Sequence, residues 1–463
     1  MLGALTLVWV TQGALSLPTA YAQAQNSEQH SSNKSHPVEP SIQKLHEEAI
    51  AADDKGDHSK ALLIQQKVII WVKANLPSVH PFRAKALNNL AIYLSQMEKT
   101  AEAIPPSLEA VMIYRALAES NPNPDLLLDL ARSLHRIGFY YNNLGKKLEA
   151  VNSNFEALRI YRELVKSESD LLPDLAFALS SLGDRYSELG EEEKALSHTL
   201  EAVKLYRKLA EANPDYLTNL AMALDSLSNH YVELGKQEEA LSSSLETVRL
   251  FRKLAVSKPA DLSHLAMALT NLGIRYSELG QEEEGLLPTR EAVKIYRKLV
   301  EADLEYLPDL AWALNSLGNR ERGVTALSIT IEAVTIYRTL VKEDPEHQSA
   351  LARALSNLGL RYSELEQEEK AIPPTLESIQ IRQELAKTNT EIFPELAKTL
   401  MSLGYSYNRM GALTAARSSI EEALQILTRL AATNPREYQQ LLYDAHEILK
   451  ELNQLQNNND NES

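Results

Sequence analysis

The hydrophobic positions of this chain fall three and four residues apart, as Leu179, Leu182 and Tyr186 do, which lays them on one face of an α-helix. The arrangement then repeats. The phrase Leu-Gly-Asp-Arg-Tyr-Ser-Glu-Leu-Gly at 182–190 returns as Leu-Ser-Asn-His-Tyr-Val-Glu-Leu-Gly at 227–235 and as Leu-Gly-Ile-Arg-Tyr-Ser-Glu-Leu-Gly at 272–280, a period of 45 residues. A second phrase keeps step with it: Glu-Ala-Val-Lys-Leu-Tyr-Arg-Lys-Leu at 201–209 recurs as Glu-Ala-Val-Lys-Ile-Tyr-Arg-Lys-Leu at 291–299. Each period therefore predicts two helices, A and B.

The punctuation between phrases sets their ends. Helix A often opens with Pro and Asp, as at Pro173-Asp174 and Pro308-Asp309, where a missing N–H costs nothing and a carboxylate suits the positive helix end. It is expected to stop at Gly190, Gly235 or Gly280. Helix B starts in an acidic cluster such as Glu191-Glu192-Glu193, carries its Lys and Arg toward the far end, and finishes before Asn213-Pro214, Lys258-Pro259 or Asp344-Pro345. These charges complement the helix dipole, which explains the acidity locally.

One small residue marks each period: Ala49, Ala91, Gly138, Gly183, Ser228, Gly273, Gly318, Gly359 and Gly404. They count nine units over about residues 42–434, with a terminal helix over 435–455 as a cap. The interval from 318 to 359 is 41 residues, four short of the period. Asn319-Arg320-Glu321-Arg322-Gly323 stands there without the usual Tyr-x-x-Leu, so a shortened helix A and a weak junction near 320–325 are expected.

In the fourth unit Leu179, Leu182, Gly183, Tyr186, Ala195, Thr199 and Ala202 match the sparse signature of the tetratricopeptide family, which the chain resembles. The period is longer than the family's common 34 residues, and with Pro105, Pro288 or Pro373 early in helix B the chain is similar to the long-repeat branch that includes kinesin light chains. The resemblance implies an all-α fold, a right-handed α-solenoid of nine helix-turn-helix units with a C-terminal capping helix. Gly183 and the alanines would let helices A and B approach closely, while Leu179, Leu182 and Tyr186 fill the space between units. The family's terminal proline of helix B is displaced to the loop between units, so helix B should be several residues longer than in a minimal unit.

The ends differ in character. Residues 1–22 read as a signal peptide: an apolar stretch from Leu2 to Leu17, Pro18, then Ala20-Tyr21-Ala22 before Gln23. No Lys or Arg precedes Lys34, which keeps an uncleaved anchor or a start upstream of Met1 as alternatives. Residues 23–40 read as a disordered linker, 41–455 as the repeat array and 456–463 as an Asn-rich disordered tail. Beyond the N-terminus no segment reads as long and apolar enough to span a bilayer.

Composition narrows the chemistry. The 463 residues carry 63 acidic and 47 basic side chains, a formal charge of −16, which disfavours nucleic acid and anionic lipid where no basic stripe intervenes. Without cysteine, disulfides, thiolate zinc sites and thiol catalysis are excluded. His46-Glu47-Glu48 and His446-Glu447 lack the second His of a zinc helix. Asp53-Asp54-Lys55-Gly56-Asp57 has Ile64 where a calcium loop needs Glu, so it reads as an interhelical turn. Neither a Gly-rich phosphate loop nor Gly-x-Ser-x-Gly is present, and no catalytic residue, metal or cofactor is expected.

What remains is a surface. A curved stack presents helix A residues on its inner side, and in the fourth unit that stripe falls on Phe177, Ser180, Asp184 and Ser187. One row runs Phe177, Met222, Met267, Trp312 and turns basic at Arg353 and Lys398. The next contains His135, Ser180, Asp225, Thr270, Asn315, Ser356 and Met401; a third contains Phe139, Asp184, Asn229, Ile274, Asn319, Leu360 and Tyr405. Either these rows accept an extended peptide, backbone to polar groups and side chains to the apolar row, or the Phe, Met and Trp positions are core filler. The pairs Tyr206-Arg207, Tyr296-Arg297 and Tyr337-Arg338 read as scaffold packing. The expected function is a non-catalytic, exported adaptor for a peptide or protein segment, with no nucleic acid partner and no membrane contact after signal cleavage. The alternatives are a structural module that self-assembles through its repeat ends, and a cytosolic repeat sensor of a signalling system if residues 1–22 are not a signal.

Overall fold

The computed structural model describes residues 37–257 and 261–462, and every regular element among them is helical. The segment read as a signal peptide, and the linker as far as residue 36, lie outside the described residues. The chain divides into two compact units, one ending at Leu164 and the other starting at Val165.

The first unit holds α1 (Pro40–Asp53), α2 (His58–Asn75), α3 (Pro81–Gln96), α4 (Thr100–Ser120), α5 (Pro124–Asn143) and α6 (Lys147–Leu164). They form three hairpins, each packed on the next. The second unit holds six more: α7 (Leu172–Glu188) with α8 (Glu192–Ala212), α9 (Leu217–Glu233) with α10 (Gln237–Ser257), α11 (Leu262–Glu278) with α12 (Glu282–Ala302), α13 (Leu307–Gly318) with α14 (Gly323–Glu343), α15 (Gln348–Glu364) with α16 (Glu368–Ala386), and α17 (Phe393–Arg409) with α18 (Leu413–Thr433). The last helix, α19 (Pro435–Glu462), covers α18. Within each unit the hairpins stack in sequence order, which is the solenoid plan.

Local chemistry explains the ends. Pro173 and Pro308 sit in the first turn of their A helices, and the A helices α7, α9 and α11 end just before Gly190, Gly235 and Gly280. After the B helices, the side chains of Asn213, Asp303, Asp344 and Asn389 each accept from the backbone N–H two residues on, at 2.9–3.0 Å. That cap turns the chain into a short 3-10 turn before the next A helix. In the second unit full A helices run 17 residues and most B helices 21.

Close approach of A to B decides the small residue. A Cβ at Gly183 would lie 2.2 Å from Thr199 Oγ1 and 3.2 Å from the Ala195 carbonyl oxygen. Where Ser228 replaces glycine, its hydroxyl donates to the Ala240 carbonyl at 2.9 Å and lies 2.8 Å from Ser244 Oγ. Between hairpins the core is aliphatic and aromatic: Phe251, Leu269, Tyr296 and Leu314 belong to one buried cluster. Each such side chain stabilises the stack by roughly 1.5–3 kcal/mol relative to exposure.

Three expectations change. Helix α13 is 12 residues long, as the deletion implied, but Arg320 fills the gap and is itself buried. Helix α19 continues to Glu462, through most of the segment read as a disordered tail. Residues 456–462 contain neither Gly nor Pro, and Asn costs a helix only about 0.7 kcal/mol, so a helix anchored by Ala445 and Leu452 runs on. Helix α14 is also long and apolar enough to cross a bilayer, contrary to the sequence reading; in the fold its Ala326, Thr330, Ala333, Val334, Tyr337 and Leu340 are buried among neighbouring helices.

Candidate functional site

Apart from His135 and Phe139, which lie on α5 of the first unit, the three expected rows lie on the A helices of the second unit, and the structure separates them. In the first row Phe177 and Met222 are about half exposed, at 52% and 51%, although they are large apolar side chains. Met267 and Trp312 are half-buried, and Arg353 and Lys398 are exposed. The exposed apolar part of this row therefore lies on α7 and α9.

The second row is largely a seam. Thr270 is fully buried and donates to the Ala266 carbonyl of its own helix at 2.9 Å, so it lies beneath the surface on which it was expected. Asn315 is also buried and accepts from Asn357 Nδ2 at 3.0 Å. Asn271 Nδ2 donates to both carboxylate oxygens of Asp225, at 3.0 and 3.2 Å. Ser180 is half-buried. This phase of helix A faces the next A helix, so polar groups there must bond across the junction to be buried without penalty.

The third row is more open. Asn229 and Asn319 are exposed, as are Leu360 and Tyr405. The Asp184 side chain retains 40% of its accessible surface. Burial nevertheless raises the Asp184 carboxyl above the usual range, opposed by a hydrogen bond from Ser226 and the nearby His230 and Arg185. Asp225 is raised for the same first reason, opposed by Asn271 and Arg275 and reinforced by Asp184.

A fourth row escaped the sequence reading. Arg185, His230, Arg275, Arg320 and Arg361 follow the third row by one residue, and all but Arg185 are buried. Arg185, Arg275 and Arg361 each pair with a glutamate three residues on, at 2.9 Å. Arg275 also donates to Asn229 of the preceding A helix at 3.4 Å. The signal was one basic residue at a constant phase in five successive units, beside an apolar face where an unpaired charge would be costly.

The Tyr-Arg pairs are scaffold. Tyr206, Tyr296 and Tyr337 are buried, while Arg207, Arg297 and Arg338 pair with Glu246, Glu332 and Glu377 of the following B helix. The Asp53–Asp57 segment is a turn, with Gly56 at φ +77° and Asp57 capping α2 through Lys60 N–H. Among the described residues no group of three or more His, Asp or Glu is placed to hold a metal ion.

Comparison with known proteins agrees with this build. The tetratricopeptide repeat profile matches residues 83–123 and 265–303, which span α3 with α4 and α11 with α12. The apo form of RapI is 15% identical, with 84% of this chain and 98% of that one covered and a TM-score of 0.59. The apo form of the quorum sensor NprR from B. thuringiensis is also 15% identical, covering 78% and 92%, with a TM-score of 0.53. A kinesin light chain structure with nearly identical TPR-like repeats, from Podosopora anserina, is 20% identical over 47% of this chain and 96% of that one, with a TM-score of 0.39. No curated protein matches in sequence. Nine helix pairs of one plan among the described residues, two segments matched by the repeat profile and solved structures of similar fold show that this chain has the fold of tetratricopeptide repeat proteins.

Proposed function

We propose that this protein is an exported, non-catalytic adaptor that binds an extended peptide or protein segment on the A-helix face of its second unit. The observation that carries the reading is the exposure of Phe177 and Met222 beside Asp184 and Asn229. Exposed apolar side chains next to polar groups suit a chain that brings both side chains and backbone groups. Export is inferred from residues 1–22 alone.

Partner recovery by the intact chain and by a Phe177→Glu/Met222→Glu variant tests the face. Loss of the partner with unchanged helicity is expected; equal recovery means the face is wrong. Sequencing the N-terminus of the mature protein tests export: a start at Gln23 is expected, and an intact Met1 in the cytosol removes that part of the proposal.

Self-assembly is the second reading, and α14 favours it. Its exposed Val324, Thr325, Ser328, Ile331, Thr335 and Thr339 form an uncharged stripe where α8 carries Glu193, Lys194, Lys204 and Lys208. For a chain of charge −16, two copies repel least through such a patch. Concentration-dependent mass in ultracentrifugation, abolished by Val324→Glu/Ile331→Glu, supports it; a monomer at all concentrations rejects it.

A further inference from the structure

From α7 to α15, successive A helices place a third-row residue of one against a fourth-row residue of the next, and the first of these four junctions differs from the three that follow. The third-row residue of one helix faces the fourth-row residue of the next: Asn229 meets Arg275 across α9 and α11. The same phases hold Ile274 and Arg320, then Asn319 and Arg361. Only between α7 and α9 does a carboxylate, Asp184, stand opposite a residue that is not arginine, His230.

His230 is a poor substitute for a guanidinium. It is only 3% exposed. Its Nε2 lies 4.0 Å from Asp184 Oδ1 and its Nδ1 3.4 Å from Glu192 Oε2, and neither ring nitrogen has a hydrogen-bond partner among the described residues. Glu192 is half served: one oxygen accepts from Ser187 Oγ at 2.8 Å, while Oε2 is buried without a hydrogen bond and has only the His230 ring beside it. By contrast Glu368, at the corresponding place in the first turn of α16, receives Ser363 and also pairs with Arg409 at 2.9 Å. Asp225 of α9, one turn from the exposed Met222, is a third carboxylate nearby, but Asn271 already serves both its oxygens. The junction thus has an excess of acceptors, and its outer edge at Asp184 is open to solvent on the same helix face as Phe177.

We infer that this junction is a cation-accepting subsite, at which an arginine or lysine of the bound segment lies on Asp184 while an adjacent apolar residue covers Phe177 and Met222. The ligand's cation supplies the charge that Arg275, Arg320 and Arg361 supply from within at the next three junctions. A guanidinium bonds a carboxylate through two parallel N–H groups, and its flat face tolerates an aromatic neighbour. The inference rests on the A-helix face being the binding surface, and adds the chemistry of what binds.

Selection of a phage library of random short peptides on the intact protein tests both. Peptides enriched in Arg or Lys beside an apolar residue are expected. A synthetic peptide from that selection should bind Asp184→Asn and His230→Arg about tenfold more weakly, which corresponds to about 1.4 kcal/mol. The His230→Arg variant copies Arg275 and Arg361 and should fold at least as well, with an unchanged or raised Tm. Selected peptides without basic residues, yet lost on Phe177→Glu/Met222→Glu, overturn the cation subsite and leave the binding face standing. No selection, or selection insensitive to that double variant, overturns the face itself.

Discussion

Arg320 occupies the space beside Gly285: a Cβ on Gly285 would lie 3.1 Å from Arg320 Nε and 3.2 Å from its Cδ. The other units of this region have Ala195, Ala240, Ala326 and Ala371 at that place. The arginine donates through Nε to the Gly273 carbonyl at 3.0 Å and through Nη1 to the Ser316 carbonyl. Burial lowers the pKa of its guanidinium, opposed by Glu282 and Glu278. The missing turn of α13 is thus replaced by one long side chain, and glycine makes room for it.

Arg320→Ala should destabilise the second unit by about 2–4 kcal/mol, because it opens a cavity and leaves two carbonyls without their donor. Gly285→Ala should cost less, and the double variant less than the sum of the two. Urea denaturation measures all three. Hydrogen exchange of the last turn of α13 should accelerate sharply in Arg320→Ala; the same protection as in the parent protein would show that Arg320 does not hold the junction.

The A–B contact makes a paired prediction. Gly183→Ala forces Thr199 Oγ1 out of its place and should cost about 1–3 kcal/mol. Gly183→Ser/Thr199→Ser copies the Ser228–Ser244 pair, which meets at 2.8 Å, and should recover most of that loss. Equal Tm values for the single and double variants would contradict this account.

Asp225 is an acid in a place where Asn315 does similar work with Asn357. Its folded pKa lies above the unfolded value, so its contribution to stability is full below the unfolded pKa near 3.8 and is lost as pH rises through the folded value. Asp225→Asn should remove that slope and change neutral-pH stability by no more than about 1 kcal/mol. Unfolding curves between acid and neutral pH show whether the slope disappears.

The first unit should respond to mild acid through His46. Its Nδ1 donates to Gln65 Oε1 over 3.0 Å, and burial lowers its pKa below 6.5 despite that bond. The folded state prefers the neutral ring, so this contribution is full above pH 6.5 and is lost as pH falls through the folded value. His46→Gln should flatten the decline of stability between neutral and mildly acidic pH. A slope unaltered by the substitution would assign it to other groups.

The 45-residue period, the helix ends at Pro173 and Gly190, the nine small places and the shortened α13 are local or periodic properties, so the sequence determined them without help. It also placed Phe177, Met222, Asp184 and Asn229 on one helix face, because phase along a helix is simple arithmetic. Which of those phases meets solvent was a matter for the tertiary structure. Thr270 and Asn315 share their phase with Ser180 and Asp225, yet both are buried, since a stacked A helix covers that side. Likewise nothing in the string of letters says that Arg320 reaches Gly273 and lies across Gly285, or that His230 faces Asp184 and Glu192; those contacts join residues about 35 to 47 positions apart, and only packing brings them together.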